Sequence, residues 1–302
     1  MTNVILLLVC LVIGVLLRRS GRAPGNLPAS LNAFVIHVSL PALTLYYIHG
    51  LQLDPALAWP ALMPWILFAA GTAFLWLLSR MLRLSRPTTG CVMLVGSLSN
   101  TSFIGLPMIE AYYGPERMGI GIVVDQLGSY LVLSLLGIFL ATLYAGGARP
   151  APRAIAMRVL KFPPFLAIVA ALLLMPVPYP AWAGSVLSRL GSTLAPIALV
   201  SVGYQLRLSA VRGRLAPLGA ALLYKLAVGP ALILLLLAGL LGQRGPITQV
   251  TIFESAMAPM IGAAIVAMDN DLDPSLATLL IGIGIPLSFL TLPLWFQILQ
   301  RI

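Results

Sequence analysis

Apolar runs of about 18 to 25 residues, the length that crosses a hydrocarbon core of about 30 Å as a helix, recur from one end of this sequence to the other. They fall at roughly 2 to 17, 29 to 48, 57 to 79, 89 to 112, 118 to 144, 162 to 177, 182 to 204, 216 to 241, 246 to 268 and 275 to 299. This spacing predicts an all-α polytopic membrane protein with ten transmembrane helices. Composition agrees. With 60% hydrophobic and 9% charged residues among 302, and a mean hydropathy of +1.02, the chain has too little polar surface to coat a soluble globule of its size. The net charge of +10 does not point to nucleic acid, because the basic residues form small clusters between apolar runs rather than a stripe with interleaved aromatics. The expected surroundings are the lipid bilayer.

Those clusters order the topology. Arg18, Arg19 and Arg22 follow the first run, so it reads as a retained span rather than a signal peptide, which carries its basic segment ahead. Arg80, Arg83 and Arg86 follow the third, Arg149, Arg153, Arg158 and Lys161 the fifth, and Arg207, Arg212 and Arg214 the seventh, whereas the opposite set holds Arg117, Arg244 and Arg301. The positive-inside rule then puts both termini on the non-cytoplasmic side of the plasma (inner) membrane. The ninth loop, Asp269 to Pro274, is assigned to the inside although it has no basic residue, which runs mildly against this order. Cys10 and Cys91 lie within apolar runs and read as small packing residues, not as a disulfide or metal framework.

An internal repeat is also legible. Pro41 and Pro196 sit in similar apolar contexts in the second and seventh spans, and Pro60 and Pro217 open the third and eighth. Gly105 and Gly262 end "SFIG" and "PMIG" in the fourth and ninth, while Gly119 and Gly282 begin "GIGI" in the fifth and tenth. These pairs keep the same order at separations of roughly 155 to 163 residues. Five spans per copy is an odd number, so the second copy enters the membrane from the opposite side, as an inverted repeat. The expected division is residues 1–148 and 149–302.

The polar stretch "SNTSFIGLP", Ser99 to Pro107, interrupts the fourth span, and "ESAMAPMIGA" from Glu254 interrupts the ninth. Irregular backbone is tolerated at membrane depth only where protein or a watery cavity takes it up, and paired interruptions in two repeats point to a transporter's binding site. Two broken helices crossing near the midplane would aim positive half-helix ends at an anion. Candidate substrate-binding residues are Ser99, Asn100, Thr101, Ser102, Gly105, Pro107, Ser255, Pro259 and Gly262. Gly105, Pro107 and Pro259 are expected to make the breaks, and the Ser, Asn and Thr side chains to use the space. The competing reading is that the hydroxyls bond back to their own helix and Asn100 glues two helices together.

With "SLPAL" at Ser39 to Leu43, "SNTSFIGLP", "AP" at Ala195 and Pro196, and "ESAMAPMIGA" in order along essentially the whole length, the sequence resembles the auxin efflux carrier (AEC) family of transporters. The resemblance implies a bile-acid symporter-like fold, with a scaffold of spans 1, 2, 6 and 7 and a mobile transport unit of spans 3 to 5 and 8 to 10. It also implies small organic-anion substrates such as malonate, malate or indole-acetate, an elevator type of alternating access, no cofactor, and a homodimer formed through the scaffold. The fifth loop is short, where plant members carry a long regulatory one, so control by phosphorylation is not expected.

Ionisable residues inside spans cost about 2.5 to 3.5 kcal/mol each at a helix centre, so Asp125, Lys225 and Glu254 are expected to face the protein interior. Their expected role is coupling to a proton or sodium ion, or charge compensation of substrate. The alternative is a structural ion pair between Lys225 and one acid. Arg189 can snorkel to the interface, and His37 reads as a packing residue. No His pair at metal-ligand spacing and no nucleophile elbow marks an intramembrane enzyme. A cation/proton antiporter using Asp125 and Glu254 is the rival, weakened because Gln126 rather than a second acid follows Asp125.

Overall fold

The computed structural model describes residues 2–51, 54–145, 153, 157, 160–206 and 214–302. Arg149, Arg158, Arg207 and Arg212, used above to order the topology, and the expected division between residues 148 and 149 lie outside the described residues. Among the described residues the chain is helical, with a single isolated bridge pair in place of any strand. The helices are α1 (Thr2–Arg19), α2 (Leu27–His49), α3 (Pro55–Met81), α4 (Arg86–Ser97), α5 (Thr101–Gly105 continued by Leu106–Tyr113), α6 (Pro115–Ala145), α7 (Pro163–Leu174), α8 (Ala181–Gln205), α9 (Leu215–Leu240), α10 (Pro246–Ser255), α11 (Ile261–Asp269) and α12 (Pro274–Leu299).

Six of these, α2, α3, α6, α8, α9 and α12, are long and apolar enough to cross a membrane by length and composition. The fourth and ninth apolar runs do not appear among them because each is split, into α4 and α5 and into α10 and α11. The sixth run yields only the 12-residue α7. Proline shapes several of the long helices from within. In α2, α5 and α9 a π-helical turn, Val35–Ser39, Thr101–Gly105 and Tyr224–Val228, is followed two residues later by Pro41, Pro107 and Pro230. A proline cannot donate to the carbonyl four residues back and crowds it; the widened turn lets that carbonyl tilt away while the helix continues. In α9 the carbonyl so displaced is that of Leu226, and the Trp295 indole N–H donates to it at 2.8 Å.

The chain divides into two compact units. One comprises residues 1–55, 102–122 and 156–206. Within it α1 lies directly on α8, because Gly14 faces the Val200 carbonyl and Gly203 faces the Leu11 carbonyl, where a Cβ would stand at 2.2 and 2.1 Å. The Arg18 guanidinium donates to the carbonyls of Tyr204 (3.3 Å) and Leu206 (3.2 Å) at the end of α8, a cation where the helix dipole is negative. Ser39 and Thr193 hydroxyls share a hydrogen bond of 2.7 Å between α2 and α8. His37 bonds the Ala33 carbonyl of its own helix.

The other unit comprises residues 56–101, 123–155 and 207–302. The acidic ninth loop is stabilised here. Asp273, at a positive φ of 47°, caps the start of α12 by accepting from the Leu276 N–H at 3.3 Å, accepts from the Thr88 hydroxyl at 2.9 Å, and pairs with Arg214. The missing basic residue of that loop is therefore supplied by the chain leading into α9.

Candidate functional site

The second unit contains both helix interruptions. After Ser97 the backbone turns extended at Leu98 (φ −100°, ψ 134°), and after Ser255 it becomes extended by Met260 (φ −75°, ψ 124°) before α11 begins. The two extended segments lie antiparallel. The Asn100 N–H donates to the Ala258 carbonyl at 2.9 Å, and the Met260 N–H donates to the Leu98 carbonyl at 3.1 Å. Ser99 and Pro259 face each other between these bonds. Theirs is the pair position that exchanges no hydrogen bonds, so the N–H that proline lacks is not needed.

Pro259 acts twice in this arrangement. In a continuous helix the Ser255 carbonyl would accept from residue 259, and no N–H exists there. That carbonyl instead accepts from the Lys225 ammonium at 2.6 Å and the Ser99 hydroxyl at 3.3 Å. Gly284 of α12 makes room for the turn, since a Cβ on it would stand 2.7 Å from the Pro259 ring.

Around the crossing the polar side chains are buried. Asn100, Thr101, Asp125, Gln126, Lys225, Glu254 and Ser255 are each at most 2% exposed. The Thr101 hydroxyl donates to Asp125 at 2.6 Å. Asp125 and Lys225 each occupy the second position of a π-turn, Val124–Ser129 in α6 and Tyr224–Val228 in α9, the kind of local widening that helices adopt at functional positions. Glu254 stands in the last turn of α10. Both its carboxyl oxygens are buried without a hydrogen-bond partner among the described residues, while Asp125 and Lys225 lie close enough to act on its charge. A fully buried acid left this way is rare enough to need an explanation such as an exchangeable proton or ligand.

The structure brings part of the candidate set together. Ser99, Asn100, Thr101, Ser255, Pro259, Asp125, Lys225 and Glu254 come together at the crossing, and Gly262 follows in the first turn of α11. Ser102, Gly105 and Pro107 fall in the other unit. The expectation that Gly105 and Pro107 break the fourth span is corrected. The break lies at residues 98–100, and both residues sit inside a continuous helix whose π-turn, Thr101–Gly105, absorbs the proline. Of the two roles weighed for Lys225, the alternative of a structural ion pair with an acid has no counterpart among the described residues, where its ammonium donates to the Ser255 carbonyl. Gly284, packed on the Pro259 ring, is not among the residues that the sequence pointed to, nor is the buried Gln126 next to Asp125. Gln126 carried a signal in its place beside Asp125 in an apolar run, and Gly284 had none beyond its glycine-rich context.

Comparison with known proteins identifies the chain's family. Residues 1–296 match the family described as membrane transport protein. An uncharacterized transporter of Methanothermobacter thermautotrophicus is 28% identical across 98% of this chain and 97% of its own length. An uncharacterized transporter of Methanocaldococcus jannaschii is 24% identical across 99% and 98%. The chain belongs to this auxin efflux carrier-like family of membrane transport proteins and is a multi-pass membrane transporter.

Proposed function

We propose that this member of the membrane transport protein family carries a small organic anion, of the malonate, malate or indole-acetate type, at the crossing of its two interrupted helices. The observation that carries the reading is the antiparallel pairing of residues 98–100 with 258–260, two non-helical segments at buried depth with a carboxamide, a hydroxyl and an ammonium beside them. Helix starts after each interruption offer a positive dipole end to a carboxylate, and the Asn100 carboxamide and Lys225 ammonium add polar donors. The ten-span inverted repeat is the architecture that this reading assumes. It is supported by the two interruptions falling in corresponding apolar runs. The division into two compact units, with α1, α2, α7 and α8 in one and α3 and α9 to α12 in the other, supports alternating access of an elevator type, in which the unit carrying the crossing moves as a body.

Glu254 favours a companion role for a proton. Its carboxyl group, without a hydrogen-bond partner among the described residues and buried near Asp125 and Lys225, is suited to carry one across the cycle, which would couple anion movement to a proton gradient. The same acids keep a cation/proton antiporter as the second reading, and flux measurements separate the two. Uptake of labelled malonate, malate and indole-acetate into proteoliposomes, with and without a pH gradient, is the primary test. Asn100→Ala removes one hydrogen bond to a charged group, about 1.5 to 3 kcal/mol, so it weakens binding of the labelled anion roughly tenfold or more while its melting temperature without anion stays near that of the parent. A variant that binds normally but melts much lower would make the polar run packing glue. Cation flux without anion flux would select the antiporter.

A further inference from the structure

The Ser255 carbonyl is a cation position whose origin can be followed in the sequence. Pro259 deletes the amide that would have bonded it, the interruption removes the rest of the helix, and burial takes the carbonyl away from bulk solvent. A carbonyl oxygen at the C-terminal end of a half-helix, joined by the Ser99 hydroxyl and served by a lysine that the Glu254 charge also acts on, offers a cation a hard oxygen at a negative helix end. The Lys225 ammonium already lies on that carbonyl at 2.6 Å. Lys225 itself is fully buried and is brought there by the π-turn Tyr224–Val228.

We infer that Lys225 is a built-in substitute for a bound alkali cation, so that the crossing of this protein needs no sodium or potassium ion to hold its interrupted helices in place or to balance charge at the site. The amine is tethered through α9, so the group that occupies the position travels with the protein rather than being loaded and released. The inference rests on the reading of the crossing as the transport site only for its flux test; its binding test uses no organic anion.

Purified protein in choline chloride, sodium chloride, potassium chloride and methylammonium chloride at equal ionic strength provides that binding test. The parent melts at the same temperature in all four. Lys225→Ala, which empties the position, melts several degrees lower in choline and recovers at least half of the loss in sodium, potassium or methylammonium. Lys225→Met, which fills the space without the charge, melts low in all four. In proteoliposomes Lys225→Ala lowers anion uptake at least tenfold, and the cation that restores its melting temperature restores uptake. A parent protein stabilised by sodium or potassium would overturn the inference. So would a Lys225→Ala variant indifferent to every cation, or a Lys225→Met variant that melts and transports like the parent. Should no anion be transported by any form while the melting pattern holds, the substrate reading fails and the cation substitution stands.

Discussion

At the scale of single residues, the site is defined by how each buried polar atom is satisfied. Thr101 is committed to Asp125 and Lys225 to Ser255, whereas the Glu254 carboxyl oxygens bond nothing among the described residues. Removing a bonded partner strands the other group at about 1 to 3 kcal/mol, so Thr101 and Lys225 couple stability to function and Glu254 does not. Glu254→Gln keeps the shape and deletes the exchangeable proton. The variant is expected to insert and melt like the parent while its anion uptake loses most of its dependence on pH, measured from pH 5 to 8 in proteoliposomes. Any slope that remains is assigned by the same measurement on Asp125→Asn, the other acid at the crossing. An unaltered pH profile in Glu254→Gln would reduce that residue to packing.

At the scale of elements, proline and glycine decide where helices continue, stop and touch. Pro107 and Pro259 are both prolines inside apolar runs, yet one is absorbed by a π-turn and the other lies in an interruption. Pro259→Ala supplies an N–H that can reach the Ser255 carbonyl if α10 extends by a turn. Anion uptake is expected to fall at least tenfold even though every polar side chain remains, and normal uptake would show that the crossing does not depend on this proline. Elsewhere glycine permits contact. Gly203→Ala drives a Cβ into the Leu11 carbonyl, and backbone cannot yield as a flexible side chain does. It should cost about 1 to 3 kcal/mol or more, read as a lower melting temperature in detergent. Gly219→Ala in α9 is the control, since its Cβ meets nothing within 4 Å and alanine favours the helix by about 0.8 to 1 kcal/mol. It should melt no lower than the parent.

At the scale of the whole molecule, the distribution of Lys and Arg gives an orientation that accessibility can test. The loop before α10 is expected outside and the loop after α1 inside. Arg244 and Arg22 are exposed in those loops, and the native Cys10 and Cys91 are buried, so background labelling is low. A membrane-impermeant maleimide applied to intact cells should label Arg244→Cys, and should label Arg22→Cys only after permeabilisation. The opposite pattern would invert the proposed topology and place both termini in the cytoplasm.

The sequence alone determined that this chain is a helical membrane protein of a transporter family, because hydropathy, run length and ordered short motifs are local properties that survive without coordinates. It also located both interruptions, since polar residues and proline in an apolar run have few stable alternatives in lipid. What it could not determine was which residues make each break and what the charged groups face. Whether Pro107 breaks a helix depends on whether the preceding turn can widen. Whether Lys225 pairs with an acid or with a carbonyl depends on where α10 stops, some 30 residues away. Those outcomes belong to tertiary structure because a buried donor or acceptor must find a partner in space, and the nearest one is set by how the helices pack rather than by spacing along the chain.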